Sequence, residues 1–233
     1  MRLFVGTSGY SYTEWKGSFY PEKLPAKQML HFYGQHFASV EMNNTFYRMP
    51  QENILESWAE QVPEEFQFVL KAPQLITHRK RLKDTEADLE QLFVAATALR
   101  SKRGPLFFQL PPNFKKDVPL LQAFLDLVGD RAQTAFEFRH DSWFDEEVFA
   151  CLRTHSCALC TADTDEAPNA QLVSTAPWGY LRLRCANYSE QQLEEWFQRV
   201  KSQAWESAYV FFKHEDSGTA PRFAARFLEF AGN

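Results

Sequence analysis

The chain has 233 residues, of which 45% are hydrophobic and 24% are charged, a balance that is ordinary for a globular protein. Its 22 Phe, 6 Trp and 8 Tyr provide enough apolar surface to exclude disorder as the main state. The net charge of −5 argues against a broadly basic surface that coats nucleic acid, although it is compatible with a local basic pocket.

Short apolar runs rich in Phe, Val and Leu recur along the chain, and each predicts a buried strand. The predicted strands begin near Leu3, Ser39, Phe66, Pro105, Thr134, Cys157, Gly179 and Ala208. Stretches with helical spacing lie between them, at residues 26–37, 52–61, 84–99, 119–128, 145–152, 189–201 and 221–230. The strand starts are on average about 29 residues apart, the length of one strand-plus-helix unit.

Eight strands that alternate with about eight helices, with no long linker, predict one α/β domain over residues 1–233. Two architectures fit this order: a closed (β/α)8 barrel and an open doubly wound sheet. The open sheet normally has a glycine-rich phosphate loop after its first strand. Here that turn reads Gly6-Thr7-Ser8-Gly9-Tyr10, which fits neither GxGxxG nor a Walker loop. We therefore predict a single (β/α)8 TIM barrel.

Alternation along the predicted strands places polar side chains inside the barrel. In Phe136-Glu137-Phe138-Arg139 the two Phe would face the helices, so that Glu137 and Arg139 would face inward. The inward polar positions near the C-terminal strand ends are Glu41, Asn43, Lys71, Gln109, Glu137, Arg139, Asp163, Arg182, Arg184 and Lys213. Barrel enzymes bind and convert their substrates at this end, which makes these residues the candidate site.

The candidate site contains five cations and three acids, a local excess of +2. Unpaired buried charges are very costly, so a network of interior salt bridges is one interpretation. An anionic ligand is the simplest partner for the surplus cations. Lys71 could bind phosphate or act as a base once desolvated, or it could pair with Glu41 on the neighbouring strand. Asn43 and Gln109 could orient a ligand or satisfy interior charges.

Loop residues after the predicted strands add further candidates. The loop aromatics could stack on a ligand ring or wall the pocket; they are Tyr10, Trp15, Tyr20, Tyr47 and Trp143. Three histidines, His78, His140 and His214, could bind zinc or manganese beside the acids, but no HxH or HExxH spacing supports this. No dinucleotide or flavin fingerprint occurs either. We therefore predict neither a metal nor a cofactor.

Several short motifs along the chain resemble those of the YecE-like proteins, domain-of-unknown-function family 72. They are Gly6-Thr7-Ser8-Gly9-Tyr10-Ser11-Tyr12, Trp15, Phe19-Tyr20-Pro21, Glu41-Met42-Asn43-Asn44-Thr45-Phe46-Tyr47, Lys71-Ala72-Pro73, Thr77-His78, Gln109-Leu110-Pro111-Pro112, Glu137-Phe138-Arg139-His140, Trp143 and Tyr180-Leu181-Arg182-Leu183. The resemblance implies a TIM barrel and no established activity. One departure is Arg184, where members of the family often have His.

These observations favour an enzyme, a hydrolase or an isomerase, that acts on a small anionic substrate, either phosphorylated or sugar-containing. The predicted catalytic acids and bases are Glu41, Glu137 and Asp163. The predicted substrate-binding residues are Tyr10, Trp15, Asn43, Lys71, His78, Gln109, Arg139, His140, Arg182, Arg184 and Lys213. The alternatives are nucleic-acid binding or metal-dependent phosphodiester processing, which is less favoured, and ligand binding without catalysis.

The expected surroundings of the protein follow from what the chain does not contain. No apolar run reaches the roughly 18 residues of a membrane span, and the N-terminus lacks the apolar segment of a signal peptide. Four cysteines in a chain of this length do not indicate a disulfide framework. We expect a cytoplasmic protein with reduced thiols and no membrane partner, and the oligomeric state stays open.

Overall fold

The structure is a computed structural model that describes residues 1–168, 170–213 and 218–232. Within these residues, eight parallel strands form a closed barrel in which each strand pairs with the next and the last returns to the first. The strands are β1 (Arg2–Ser8), β2 (Ser39–Met42), β3 (Gln67–Lys71), β4 (Arg103–Gln109), β5 (Thr134–Glu137), β6 (Ala158–Asp163), β7 (Trp178–Leu183) and β8 (Ser207–Phe212). Each begins within two residues of its predicted start, and the (β/α)8 barrel is confirmed.

Helices pack around the barrel and follow every strand except β6, after which the described residues up to β7 contain no helix. The helices are α1 (Met29–Gly34), α2 (Asn44–Tyr47), α3 (Glu52–Ala59), α4 (Glu86–Ala96), α5 (Val118–Val128), α6 (Glu146–Thr154), α7 (Glu190–Lys201) and α8 (Thr219–Glu229). Shorter turns of 3-10 or π helix occur at Thr13–Trp15, Ala26–Gln28, Leu75–Arg79, Thr97–Lys102, Gly129–Arg131 and Asp141–Trp143. In the described part of the chain, no helix has both the length and the apolar character needed to cross a bilayer.

Two helices are more than two residues shorter than the sequence predicts, and one was not predicted. The first turn of the stretch 26–37 is a 3-10 helix, and the α-helical part ends at Gly34. α4 ends at Ala96, and the chain then kinks at Arg100, whose φ of +54° is not helical. α2 has four residues, too few to show a helical period in the sequence.

Apolar side chains fill the barrel from its N-terminal end. The ring of Phe4 stacks on that of Tyr209 with centroids 4.6 Å apart, and Phe107 stacks on Tyr180 at 4.9 Å. The full interior cluster is Phe4, Val69, Phe107, Ala135, Ala158, Cys160, Ala176, Trp178, Tyr180, Tyr209 and Phe211. Because this layer closes the barrel from below, polar residues at the C-terminal end surround a pocket rather than a pore.

The glycines of the Gly6–Tyr12 segment have a structural explanation. At Gly6, a Cβ would lie 1.9 Å from the carbonyl oxygen of Ser39, so only glycine lets β1 approach β2 there. Gly9 has a φ of +87°, which favours glycine, and the chain turns at this point. After the turn, the Tyr12 hydroxyl donates a hydrogen bond of 2.9 Å to the carbonyl oxygen of Ser8. This contact holds Tyr12 at the C-terminal end of the barrel.

Candidate functional site

A network of buried charges closes the interior just above the apolar cluster. Arg182 donates from Nη1 to Glu137 Oε2 at 2.6 Å and from Nη2 to Glu41 Oε1 at 3.0 Å. The Tyr180 hydroxyl donates to Glu41 Oε2 at 2.6 Å, and Ser8 Oγ donates to Glu41 Oε1 at 2.7 Å. No more than 2% of any of these side chains is exposed. We call Glu41, Glu137, Tyr180 and Arg182 the floor network.

The floor network holds its charges fixed at neutral pH. Burial alone would raise the pKa of Glu137, but Arg182 and Arg139 outweigh it and lower this pKa to about 2. Burial raises the pKa of the Tyr180 phenol, and the Glu41 carboxylate raises it further, so the phenol remains a donor. Burial lowers the pKa of Arg182, yet the two carboxylates raise it above its ordinary value. Glu137 is therefore ionised and paired, as the interpretation of an interior salt-bridge network predicts.

Above the floor, Gln109 joins Glu137 to Lys71. Gln109 Nε2 donates to Glu137 Oε1 at 2.7 Å, which turns Gln109 Oε1 toward Lys71. Lys71 Nζ donates to that oxygen at 2.9 Å and lies 4.2 Å from the centroid of the Phe46 ring. Within the described residues Lys71 has no ion-pair partner, so the alternative of a salt bridge to Glu41 is not observed. Burial lowers the pKa of Lys71 to about 8, with Arg182 also lowering it.

Two arginines form the next layer toward solvent. Arg139 donates from Nε to Glu137 Oε1 at 2.9 Å, and 38% of its side chain is exposed. Arg184 Nη1 lies 3.9 Å from the same oxygen, and 24% of its side chain is exposed. Burial lowers the pKa of Arg184, and the neighbouring Arg182 lowers it further. The neighbouring cations therefore lie close enough to Arg184 to disfavour its positive charge.

These residues surround an open pocket at the C-terminal end of the barrel, with a volume of about 590 Å³, which we call the mouth cavity. Its lining is Tyr12, Asn43, Asn44, Phe46, Tyr47, Lys71, Gln74, His78, Gln109, Arg139, Arg182, Arg184 and Lys213. Eight of the predicted binding residues thus lie together: Asn43, Lys71, His78, Gln109, Arg139, Arg182, Arg184 and Lys213. Burial lowers the pKa of His78, and Lys71 and Arg139 lower it further.

Part of the lining was not among the predicted site residues. Tyr12, Asn44, Phe46, Tyr47 and Gln74 come from loops and from the four-residue helix α2. Strand alternation says nothing about such residues. The available signal was that Tyr12, Asn44, Phe46 and Tyr47 belong to the family-like motifs, and Tyr47 was also among the loop aromatics considered from the sequence.

The predicted inward orientation of Asp163 is wrong. Asp163 pairs across to Leu183, whose side chain packs in the helix-facing cluster, so Asp163 lies on the same outer face. There it accepts hydrogen bonds from the Tyr188 hydroxyl at 2.7 Å and from Trp196 Nε1 at 3.2 Å. It therefore joins β6 to the elements packed outside the barrel and does not face the mouth cavity.

Three other predicted residues also lie away from the cavity lining. Trp15 is 0% exposed and packs among aromatic rings of the outer core, so its ring has no surface for a ligand. The Tyr10 ring lies 6.2 Å from that of Tyr33 in the same region. His140 Nδ1 accepts from the Ser142 N–H at 3.2 Å and caps a helical turn.

The described residues hold no group of three His, Cys, Asp or Glu side chains arranged as metal ligands would be. His78 and His140 do not lie together, because His78 lines the mouth cavity and His140 does not. The third histidine considered from the sequence, His214, lies outside the described residues. The four cysteines are all buried and unbridged, and Cys157 and Cys160 lie in different apolar clusters on opposite faces of the sheet.

Because Asp163 lies outside the barrel, the charge balance of the site differs from the one predicted from the sequence. Even without Lys213, the charged residues at this end of the barrel interior are four cations and two carboxylates: Lys71, Arg139, Arg182 and Arg184 against Glu41 and Glu137. Arg182 contacts both carboxylates, and Arg139 shares Glu137 with it. A surplus of two positive charges therefore remains at the level of the mouth cavity.

Comparisons with known proteins agree with this fold. A sequence model of the family described as "Protein of unknown function DUF72" matches residues 4–233. The UPF0759 protein YunF of Bacillus subtilis is 26% identical over 97% of this chain and 94% of its own length. The UPF0759 protein YecE of Escherichia coli K12 is 30% identical over 61% of this chain and 50% of its own. A crystal structure of a DUF72 family protein from Thermotoga maritima has a TM-score of 0.85 at 27% identity and covers 100% of both chains.

Proposed function

Because the chain belongs to the DUF72 family, whose description assigns no function, we propose a function from its own site: an enzyme that acts on a small anionic substrate in the mouth cavity. The observation that supports this proposal is the surplus of two positive charges facing a cavity of about 590 Å³. Desolvated cations that crowd one another are stabilised by an anion between them. A phosphate or a carboxylate would supply that charge.

The two arginines nearest solvent are suited to bind this anion. Arg139 and Arg184 flank Glu137 but neither is enclosed, so each has N–H donors left for a ligand. A guanidinium binds carboxylate or phosphate oxygens through two parallel hydrogen bonds. The rings of Phe46 and Tyr12 line the same cavity and suit the flat face of a sugar or another ring.

The geometry favours a division of roles that differs from the one predicted from the sequence. Glu41 and Glu137 were predicted to transfer protons, yet both are enclosed by donors, and the low pKa of Glu137 makes it a poor acid. We assign to both carboxylates the role of holding Arg182 in position. Lys71 and His78 have lowered pKa values and face the cavity, so they are better suited to proton transfer in an isomerisation or a hydrolysis.

The proposal is tested by measuring how inorganic phosphate and sulfate change the melting temperature. Phosphate is expected to stabilise the wild type, and Arg184→Ala should weaken its binding about 10- to 150-fold, because a hydrogen bond to a charged group contributes about 1.5–3 kcal/mol. Arg139→Ala should have a similar effect.

Arg131→Ala is the matched control for these variants. Arg131 is also partly exposed and paired with one carboxylate, Glu90, but it precedes β5 and so lies at the opposite end of the barrel. This variant should keep the full response to phosphate. A wild type that does not respond, or an equal loss of response in Arg131→Ala, would contradict the proposal.

A further inference from the structure

Lys71 is a buried amine, and the two carboxylates near it form ion pairs with Arg182 instead. Both carboxylates of the floor network accept hydrogen bonds from Arg182, and the hydrogen-bond acceptor of Lys71 Nζ is the neutral amide of Gln109. The Lys71 side chain is 8% exposed, and the exposed part faces the mouth cavity. A lysine that served only as a structural cation would be expected to contact a carboxylate.

These surroundings shift Lys71 toward the neutral amine, which is the nucleophilic form. Burial lowers the pKa of Lys71 to about 8, and the positive charge of Arg182 contributes in the same direction. Lysines in desolvated sites or beside a second cation are the ones that attack carbonyl groups. Gln109 Oε1 accepts one N–H of Lys71, and its orientation is fixed by the bond from Gln109 Nε2 to Glu137. An amine held through one N–H keeps its lone pair available.

We propose that Lys71 Nζ forms an imine with a small aldehyde or ketone that carries a carboxylate or a phosphate. The inference rests on the proposed function, because Arg139 and Arg184 would hold the anionic end of this carbonyl compound. It narrows the substrate class from small anions to anionic carbonyl compounds. Proton removal from the carbon beside an imine is a common route to isomerisation, which agrees with the reaction type proposed above.

The step balances without any oxidant or reductant. The lone pair of Nζ forms the new C–N bond, the π electrons of the carbonyl group move to its oxygen, and that oxygen takes up a proton from solvent to give a carbinolamine. The carbinolamine hydroxyl, once protonated, leaves as water, and the nitrogen lone pair completes the C=N bond of a protonated imine, whose positive charge is that of the proton taken from solvent. His78 lines the same cavity, and its lowered pKa keeps it neutral at pH 7, so it can accept the proton that Nζ releases and return it to the leaving hydroxyl. Hydrolysis reverses the sequence and regenerates the amine.

The experiment traps the imine by reduction. The whole protein is incubated with sodium cyanoborohydride and either pyruvate or glyceraldehyde 3-phosphate, and the adducts are located by peptide mass spectrometry. We expect an adduct at Lys71 that forms faster as the pH rises through about 8 and that inorganic phosphate suppresses. Lys71→Arg keeps the charge but cannot form an imine, so the adduct should be lost.

Lys201→Arg is the matched control, because Lys201 is exposed at the end of α7, and this variant should retain the adduct at Lys71. No adduct at Lys71 with either probe would overturn the inference. If phosphate still stabilises that protein, the anion site stands and only the imine is wrong; if phosphate does not stabilise it, both proposals are wrong. An adduct at Lys71 that phosphate does not suppress would contradict the anionic substrate class.

Discussion

Arg182 and Arg184 lie two residues apart at the end of β7, face the same side of the sheet, and have different surroundings. Arg182 is 2% exposed and donates to two carboxylates at 2.6 and 3.0 Å. Arg184 is partly exposed, and the carboxylate oxygen in its ion pair is 3.9 Å away. The pKa of Arg182 is raised above its ordinary value, whereas burial and Arg182 itself lower that of Arg184.

Depth in the barrel, more than residue type, separates structural charges from charges available to a ligand. In the floor network each charge has fixed partners, so its removal should affect folding. At the level of Arg184 the positive charges exceed the negative ones, so a change there should mainly affect anion binding. Variants at the two levels should therefore differ in whether they lower stability or weaken anion binding.

The largest expected effect is on folding, from Glu137→Gln. This change leaves Arg182 with one of its two carboxylates and removes the partner of Arg139, and breaking a buried ion pair costs about 3–5 kcal/mol. The free energy of unfolding, measured by chemical denaturation, should fall by this amount. Glu90→Gln is the matched control, since Glu90 also pairs with an arginine but is largely exposed, and it should cost about 0–1 kcal/mol.

The same carboxylate gives a pH signature. The pKa of Glu137 falls from 4.5 to about 2 on folding, because Arg182 and Arg139 outweigh the effect of burial. Its contribution to stability is therefore complete above pH 4.5 and is lost as the pH falls toward 2. Glu137→Gln should lack this part of the acid-induced loss. If Glu137→Gln is as stable as the wild type at neutral pH, the floor network does not support the fold.

A smaller effect is expected from Asp163→Asn, outside the barrel. Asp163 accepts hydrogen bonds from Tyr188 and Trp196, and loss of its charge should cost about 1–3 kcal/mol of unfolding free energy. The stabilisation by phosphate should stay at the wild-type level, because the side chain faces away from the mouth cavity. If a folded Asp163→Asn protein no longer responds to phosphate, the assignment of this residue to the outer face of the barrel is wrong.

Alternation along a strand predicted the inward-facing site residues correctly in those strands whose outward-facing residues are bulky and apolar. Phe136 and Phe138 bracket Glu137, and Leu181 and Leu183 bracket Arg182, so the inward positions could be read from the sequence. β6 has a single bulky apolar residue, Leu159, which packs in the helix-facing cluster and lies on the same face of the strand as Asp163. The same rule, applied from Leu159, places Asp163 outside; the error came from assigning Asp163 by its position late in the strand.

Loop residues escaped prediction for a different reason. Trp15 and Tyr12 follow the same strand, but tertiary packing buries the Trp15 ring and leaves Tyr12 at the cavity. No local pattern contains that information. The shared acceptor role of Glu137 was also beyond the sequence, which allowed a salt-bridge network but not the number of donors that converge on one carboxylate.

The most direct test of the central claim, that the surplus cations above an unchanged floor network hold the anion, is a crystal structure of the protein grown with inorganic phosphate. We expect phosphate oxygens within hydrogen-bond distance of Arg139, Arg184 and Lys71 Nζ. We also expect Arg182 to keep both of its carboxylate contacts. The claim would be contradicted if phosphate bound elsewhere and the mouth cavity held only water. It would also be contradicted if Arg182 left Glu137 to contact the anion.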